Sequence, residues 1–202
     1  MSGQPSGSRG SSGSPRSPGA RGARGARGAR GSRRGWGWHP LRPEAARRLV
    51  ADAEVGADDL VLDVGAGDGA LTAPLLATGA AVIAVELHAG RAALLRDRYG
   101  DRGLRVVRCD LRELRLPARP FRVVANPPYA ASTALVRLLL GSDRLVRADL
   151  VLQGGAARRL AERPPPARHA RRYRLEVVGP LPRSAFRVPP KVDSVRLRIE
   201  RG

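Results

Sequence analysis

The chain has a single cysteine, Cys109, and a single lysine, Lys191, among its 202 residues. One cysteine excludes an intrachain disulfide, which fits a reducing cytoplasm, and we interpret Cys109 as a buried strand residue rather than a nucleophile. The three histidines, His39, His88 and His169, lack the spacing of a metal site, so no metal is expected. Because no run of about 18 or more apolar residues occurs, we expect neither a transmembrane helix nor a membrane partner.

Carboxylates are scarce relative to cations, since 37 Lys and Arg stand against 18 Asp and Glu and give a net charge of +19. This charge predicts a polyanionic partner. Guanidinium groups form paired hydrogen bonds with phosphate and stack on bases, which favours RNA as the partner. A GC-rich coding bias also produces arginine, but it does not require cations to outnumber anions about two to one.

Residues 1–35 contain eight arginines and no carboxylate. Their Gly, Ser, Pro and Arg composition cannot build a core and predicts a disordered basic tail. The Arg-Gly-Ala repeat over residues 21–30 resembles RGG-type RNA-binding segments, although a solvated, dispensable extension remains an open alternative. No apolar stretch follows Arg33 and Arg34, so we do not expect export by a twin-arginine signal. Residues 36–202 suffice for one well-buried domain.

Apolar strand patterns alternate with helix-compatible segments through this domain, which predicts an α/β fold with a doubly wound, mainly parallel sheet. The expected strands cover residues 60–64, 81–85, 104–109, 121–125 and 148–152, and the expected helices cover 44–53, 70–77, 89–99 and 133–140. Ser132 is expected to cap the last helix. Two further strands, 173–178 and 192–199, have no helix between them and are interpreted as an antiparallel pair that closes the sheet.

The motif Asn126-Pro127-Pro128-Tyr129 follows the strand at 121–125, at a carboxyl end where open α/β sheets bind ligands. The Asn126 amide and the Pro127 carbonyl can accept hydrogen bonds from the exocyclic amine of a heterocycle, while Tyr129 stacks on its face. The motif therefore predicts a base amine as the substrate group. An Asx-Pro turn that only ends the strand is the alternative.

A glycine-rich loop with Gly65, Gly67 and Gly69 follows the strand at 60–64, and glycine lets the backbone approach a ligand closely. The next strand ends in Glu86, about 20 residues on, the spacing at which an acidic side chain accepts from ribose hydroxyls. The third strand ends in Asp110, a candidate acceptor for an adenine amine. The three strand ends predict an adenosine-containing cofactor, while a solvated strand end is the alternative for Glu86.

The segments VLDVGAGDGALT, AVELH, RCD, NPPY and FRVPPKVDS resemble the Erm family of ribosomal RNA adenine N6-methyltransferases, over roughly Trp36 to Arg201. Small-subunit rRNA dimethyladenosine transferases are close relatives of that family. The resemblance implies a Rossmann-like methyltransferase domain at 36–202 that uses S-adenosyl-L-methionine. It also implies methylation of an adenine in 23S rRNA at the peptidyl transferase region, which in the family confers macrolide, lincosamide and streptogramin B resistance.

The resemblance also implies roles for individual residues. The glycines border the methionine part of the cofactor, Glu86 holds its ribose and Asp110 holds its adenine. Leu87 and Leu111 are further candidate cofactor contacts. The target adenine is held by Asn126, Pro127 and Tyr129, with Phe186 closing over it, and Asn126 also borders the cofactor. Trp38, His39 and Leu41 lie where the family usually carries a Gln-Asn-Phe type segment that contacts the methionine end, and are candidate cofactor contacts.

The chain ends at Gly202, where most family members continue into a small helical lobe, so a short form without that lobe is expected. A monomer is also expected. Four other functions stay open. They are a 16S rRNA dimethyladenosine transferase, a DNA adenine methyltransferase, a protein glutamine methyltransferase, and a non-catalytic RNA-binding ribosome-assembly protein with this fold. Proline at the third position of NPPY, Pro128, brings the motif closer to the amino-methyltransferases of DNA and of glutamine side chains.

Overall fold

The computed structural model describes residues 39–202. The expectations for the basic tail at 1–35 and for Trp38 concern residues outside this range.

Seven strands form one sheet in the order β3-β2-β1-β4-β5-β7-β6. Their bounds are β1 Leu60–Val64, β2 Ala81–Val85, β3 Arg105–Val107, β4 Phe121–Ala125, β5 Leu145–Gln153, β6 Tyr173–Leu181 and β7 Ser194–Arg201. Strands β1 to β5 pair in parallel, and β7 pairs antiparallel with both β5 and β6. The expected mainly parallel sheet with an antiparallel C-terminal pair is confirmed.

Within residues 39–202, five α-helices cover the two faces of the sheet. They are α1 Pro43–Asp52, α2 Thr72–Ala77, α3 Ala89–Tyr99, α4 Ser132–Leu140 and α5 Gly154–Glu162. Helices α1 to α3 share a core with Val61, Val82 and Val124, while α4 and α5 pack with Leu62 and Val123 on the other face. Successive strand residues point to opposite faces, so a strand covered on both sides is buried along its whole length, as in β1, where Asp63 is the one residue that is not apolar.

Two local expectations are wrong. Strand β3 ends at Val107, before Cys109, because β3 is an edge strand and a 3-10 turn begins at Leu111. Cys109 is therefore a partly buried loop residue, and burial, with Glu113 and Asp110 nearby, raises the pKa of its thiol. Ser132 is the first residue of α4 rather than its cap, since its hydroxyl donates to the Tyr129 carbonyl at 2.8 Å.

Helix α5 has no counterpart among the helices expected from the sequence, because it opens on Gly154-Gly155 and glycine is a poor helix former. None of the helices within residues 39–202 is both long enough and apolar enough to cross a membrane. The same residues contain no group of three or more His, Cys, Asp or Glu side chains that could hold a metal ion.

Candidate active site

The carboxyl ends of the central parallel strands meet at one edge of the sheet. Val64 of β1 pairs with Val85 of β2, and Val85 pairs with Val107 of β3. Strand β4 lies on the other side of β1. The glycine loop, Glu86, Asp110 and Asn126 follow these strands and therefore lie along the same edge, as the sequence predicts.

The Asn126 side chain is oriented by a distant backbone carbonyl. Its amide nitrogen donates to the His39 carbonyl oxygen at 2.8 Å. A carbonyl oxygen can only accept, so the NH2 group faces His39 and the amide oxygen is presented as an acceptor. This is the orientation that recognition of a base amine requires.

Residues 39–42 and 185–188 form a short antiparallel pairing, which we call the clasp. Leu41 bridges to Phe186, Arg42 N donates to the Ala185 carbonyl at 2.8 Å, and Arg187 N donates to the Pro40 carbonyl at 2.8 Å. Leu41 and Phe186 are almost completely buried in the core beside α1 to α3. The clasp therefore anchors the backbone that orients Asn126.

Phe186 was expected to close over the target adenine, but its ring has 0% exposure in this structure. The ring packs within the core and offers no face to a base arriving from solvent. Leu41, expected at the cofactor's methionine end, is buried with it yet also lines a small cavity described below. Both side chains therefore pack in the core next to the site.

Tyr129 lies in a 3-10 turn that follows the end of β4, and it is held by a residue of β7, two strands away in the sheet. Its hydroxyl is 2.6 Å from Ser194 Oγ, at the start of β7. Burial raises the pKa of the Tyr129 phenol, which keeps it protonated. The His39 and Tyr129 ring centroids are 5.7 Å apart with a 32° tilt, so His39 lies on the target side of the site.

Two glycines of the loop serve different contacts. Gly65 has φ +77°, and a Cβ there would lie 3.2 Å from Pro128 Cδ and 3.3 Å from Pro127 Cα, so the loop abuts the NPPY motif. Gly69 has φ +90°, and a Cβ there would lie 3.0 Å from both Leu95 Cδ2 and Tyr99 Cε2. Glycine at position 69 therefore allows close packing on α3, and its contact with the cofactor stays a prediction.

Glu86 is 3% exposed and its carboxylate is largely occupied by nearby donors. Gly67 N donates to Oε2 at 2.9 Å, while His88 N at 2.7 Å and Arg91 Nη2 at 2.9 Å donate to Oε1. These bonds use three of the roughly four acceptor positions of a carboxylate. One position remains for a ribose hydroxyl, and a second hydroxyl requires one of these donors to shift.

Asp110 is bound by its neighbour Arg112 through the backbone N at 2.9 Å and through Nε and Nη2, each at 3.0 Å. The Arg112 side chain holds the pKa of Asp110 at about 2. Leu87 is exposed and Leu111 is half-buried beside these two acidic residues. The structure thus brings all four residues to the cofactor side, and their contacts with the cofactor stay predictions.

Asp63 was not among the residues expected at the site. It lies in the apolar strand β1, is 1% exposed, and accepts a hydrogen bond from Thr72 Oγ1 at 2.7 Å. Burial is the main reason that its pKa is raised to about 7, with a smaller contribution from Glu86. A carboxylate inside a strand that is otherwise apolar is costly to bury, and that cost was the available sequence signal.

A cavity of about 20 Å³ lies between the glycine loop, on the cofactor side of the site, and Asn126, on the target side. It is lined by Pro40, Leu41, Asp63, Gly65, Ala66, Asp68, Ala70, Leu71 and Asn126. The acceptors along this edge suit S-adenosylmethionine. Asp63 is placed for a cationic amino acid end, Glu86 for ribose hydroxyls and Asp110 for an adenine amine. The residues present therefore fit this cofactor.

The fold and these acceptors define a Rossmann-like S-adenosylmethionine-dependent methyltransferase. The family model for ribosomal RNA adenine dimethylase matches residues 42–202. The chain therefore belongs to the ribosomal RNA adenine dimethylase family and is an rRNA adenine N6-methyltransferase.

Similar proteins come from both branches of this family. Ribosomal RNA small subunit methyltransferase A of Thermosynechococcus vestitus is 38% identical over 81% of this chain and 67% of that protein. An rRNA adenine N-6-methyltransferase of Corynebacterium diphtheriae is 35% identical over 70% of this chain and 57% of that protein. The chain thus spans between about half and two thirds of these relatives.

Two solved structures resemble the fold closely. The 23S rRNA methyltransferase ErmE has a TM-score of 0.71 and 28% identity, covering 81% of this chain and 70% of that one. A dimethyladenosine transferase from Plasmodium falciparum has a TM-score of 0.68 and 27% identity, covering 81% and 64%.

Proposed function

We propose that the chain methylates N6 of an adenine in 23S rRNA at the peptidyl transferase region, acting as a monomer in the cytoplasm. The orientation of the Asn126 amide supports adenine N6 as the atom that receives the methyl group. Its nitrogen donates to the His39 carbonyl, so its oxygen remains available to accept a hydrogen bond from the adenine amine. The likeness to ErmE supports 23S rRNA as the substrate.

The target half of the site activates a weak nucleophile. The lone pair of an adenine amine is delocalised into the ring, and acceptors at Asn126 Oδ1 and the Pro127 carbonyl draw its hydrogens out of plane and localise that pair. Tyr129 stacks on the base and keeps it in line. Bound S-adenosylmethionine supplies a methyl group already activated on a sulfonium. Positioning is thus the main source of rate, and the surplus amine proton passes to solvent without a dedicated base.

The proposal is tested by methyl transfer from labelled cofactor to naked 23S and 16S rRNA. We expect transfer to 23S, and mapping should place it at an adenine. Expression in a macrolide-sensitive bacterium should raise tolerance to erythromycin and lincomycin together, and the Asn126→Ala variant should not. An active enzyme that protects against neither drug would contradict the peptidyl transferase site.

A 16S rRNA dimethyladenosine transferase is the second candidate. It is favoured by the small-subunit relatives, which are 38% identical and matched over 67% of their length. Transfer to 16S rRNA with none to 23S rRNA would establish this alternative.

We also propose that the arginines of residues 1–35 contact RNA phosphates. Deleting this segment should flatten the dependence of log K on log salt by roughly 0.7 per lost contact to single-stranded RNA. Such contacts do not read base edges, so affinity for unrelated RNA should fall by a similar factor. An unchanged salt slope would mean that the segment is a solvated extension.

A further inference from the structure

The loop at 188–193 is fastened at both ends to the residues of the target pocket. At its start, the Val188 carbonyl is 3.0 Å from His39 Nδ1, which must carry the proton because a carbonyl only accepts. At its end, Ser194 Oγ is 2.6 Å from the Tyr129 hydroxyl, and the Asp193 carbonyl accepts from Gly154 N at 2.8 Å. The loop therefore forms a rim of the pocket.

This rim loop, residues 188–193, presents apolar side chains to solvent. Five large hydrophobic side chains are exposed among residues 39–202, and two of them, Val188 at 51% and Val192 at 40%, lie in these six residues. Pro189 and Pro190 between them restrict the backbone. Lys191, the only lysine of the chain, is exposed between the two valines. The loop thus places two exposed valines and one cation beside the target pocket, and the exposed side chain of Asp193 follows at its end.

An adenine that enters the pocket leaves a gap in its own stack, because enzymes acting on a base draw it out of the helix. Phe186 cannot fill that gap from the buried core. Proteins that unstack nucleic acids insert apolar side chains between bases, and aliphatic residues and proline serve in this role. The rim loop carries such side chains directly beside the pocket.

We propose that the rim loop inserts into the RNA beside the target adenine, with Val188 and Val192 packing on the bases left unstacked and Lys191 contacting a phosphate. The proposal rests on the proposed adenine methylation of RNA and adds the surface that opens the substrate. Base contacts by aliphatic side chains do not depend on base identity, so the loop assists extrusion and leaves the choice of adenine to the pocket.

The test uses the double variant Val188→Ala/Val192→Ala in the full chain. Two RNA substrates are compared. In the first, the mapped adenine is base-paired in a stem. The second is the same strand without its complement, so that the adenine is single-stranded. Transfer to the stem should fall about tenfold, since each truncation removes buried apolar surface. Transfer to the single strand should change less than about twofold, because no unstacking is needed there. 2-Aminopurine at the target position should brighten on binding the wild type and less so with the variant.

The matched control is Val146→Ala. Val146 is 41% exposed and lies near the amino end of β5, whereas the active site lies at the carboxyl ends of the parallel strands. It should behave as wild type on both RNAs. Equal losses on the two RNAs, or no loss on the stem, would overturn the rim loop proposal while adenine methylation stands. Absence of transfer by the wild type to any RNA would overturn the proposed function and the rim loop together.

Discussion

The two halves of the catalytic edge are built from contacts of different range. In the cofactor half, Asp110 is held by Arg112, two residues on, and Glu86 by Arg91, five residues on. In the target half, Asn126 is held by a carbonyl 87 residues away, and Tyr129 by a serine 65 residues away.

This difference separates what each half needs in order to form. The cofactor half depends mainly on its strand ends and the turns that follow them, although the ion pair of Asp68 with Arg187 adds a long-range side-chain contact. The target half also needs the clasp and β7 in place, because they supply the His39 carbonyl and Ser194 Oγ. Substitutions in the two halves should therefore affect different measurements.

The largest expected effect is on stability, at Asp63 in the cofactor half. Its pKa is raised from 3.8 to about 7, so between those values the folded chain holds a proton that the unfolded chain releases. Stability should therefore decrease as pH rises through this window, by up to about 4 kcal/mol. Asp63→Asn keeps an acceptor for Thr72 and should remove this decrease, which urea unfolding at several pH values measures. Parallel pH profiles for the two proteins would contradict the assignment.

Asn126→Ala should give the next largest effect and confine it to the target half. Methyl transfer should fall by about 10² to 10³-fold, comparable to the loss of a preorganised hydrogen-bonding group in other enzymes. Cofactor affinity measured by calorimetry should stay within about twofold of wild type. His39→Ala is the matched comparison, since it keeps the carbonyl that orients Asn126, and it should lose much less activity. Transfer at the wild-type rate by Asn126→Ala would place the target pocket elsewhere.

The cofactor half could be predicted from the sequence because its signals are local. Buried strands followed by Gly65, Glu86 and Asp110 indicate positions at one end of the sheet, and the parallel pairing of β1, β2 and β3 brings the three residues there. Asp63 could not be assigned to the site from the sequence, because a single carboxylate in a strand does not show whether it faces a ligand cavity or the core. The close packing of Gly69 against α3 could not be predicted, because only the fold brings that helix to the loop.

The target half could be predicted only in part. NPPY indicated the acceptor and the stacking ring, but nothing local to Asn126 shows that its amide is oriented by residue 39. The resemblance implied that Phe186 closes over the target adenine, whereas in the structure its pairing with Leu41 places the ring in the core. Long-range pairing of this kind leaves no periodicity in the sequence.

Glu86→Gln should have a moderate effect limited to the cofactor half. A charge-assisted hydrogen bond contributes about 1.5 to 3 kcal/mol, so calorimetry should show cofactor affinity about 10 to 100-fold weaker. The rate at saturating cofactor should stay near wild type, because Asn126 is untouched. Glu44→Gln, at an exposed ion pair with Arg47 on α1, is the control and should bind normally. Unaltered affinity in Glu86→Gln would remove Glu86 from the ribose site.

The smallest expected effect is that of Ser194→Ala, which removes the partner of the Tyr129 hydroxyl. A hydrogen bond of this kind contributes about 0.5 to 1.5 kcal/mol, so the KM for RNA should rise roughly 2 to 10-fold while cofactor affinity stays constant. Ser184→Ala, at an exposed serine in a nearby turn, should have no effect. Tyr129→Phe removes the same bond from the other side and keeps the stacking ring. If that bond is the cause, the double variant should be no worse than the worse single variant, whereas additive losses would show that the two residues act separately.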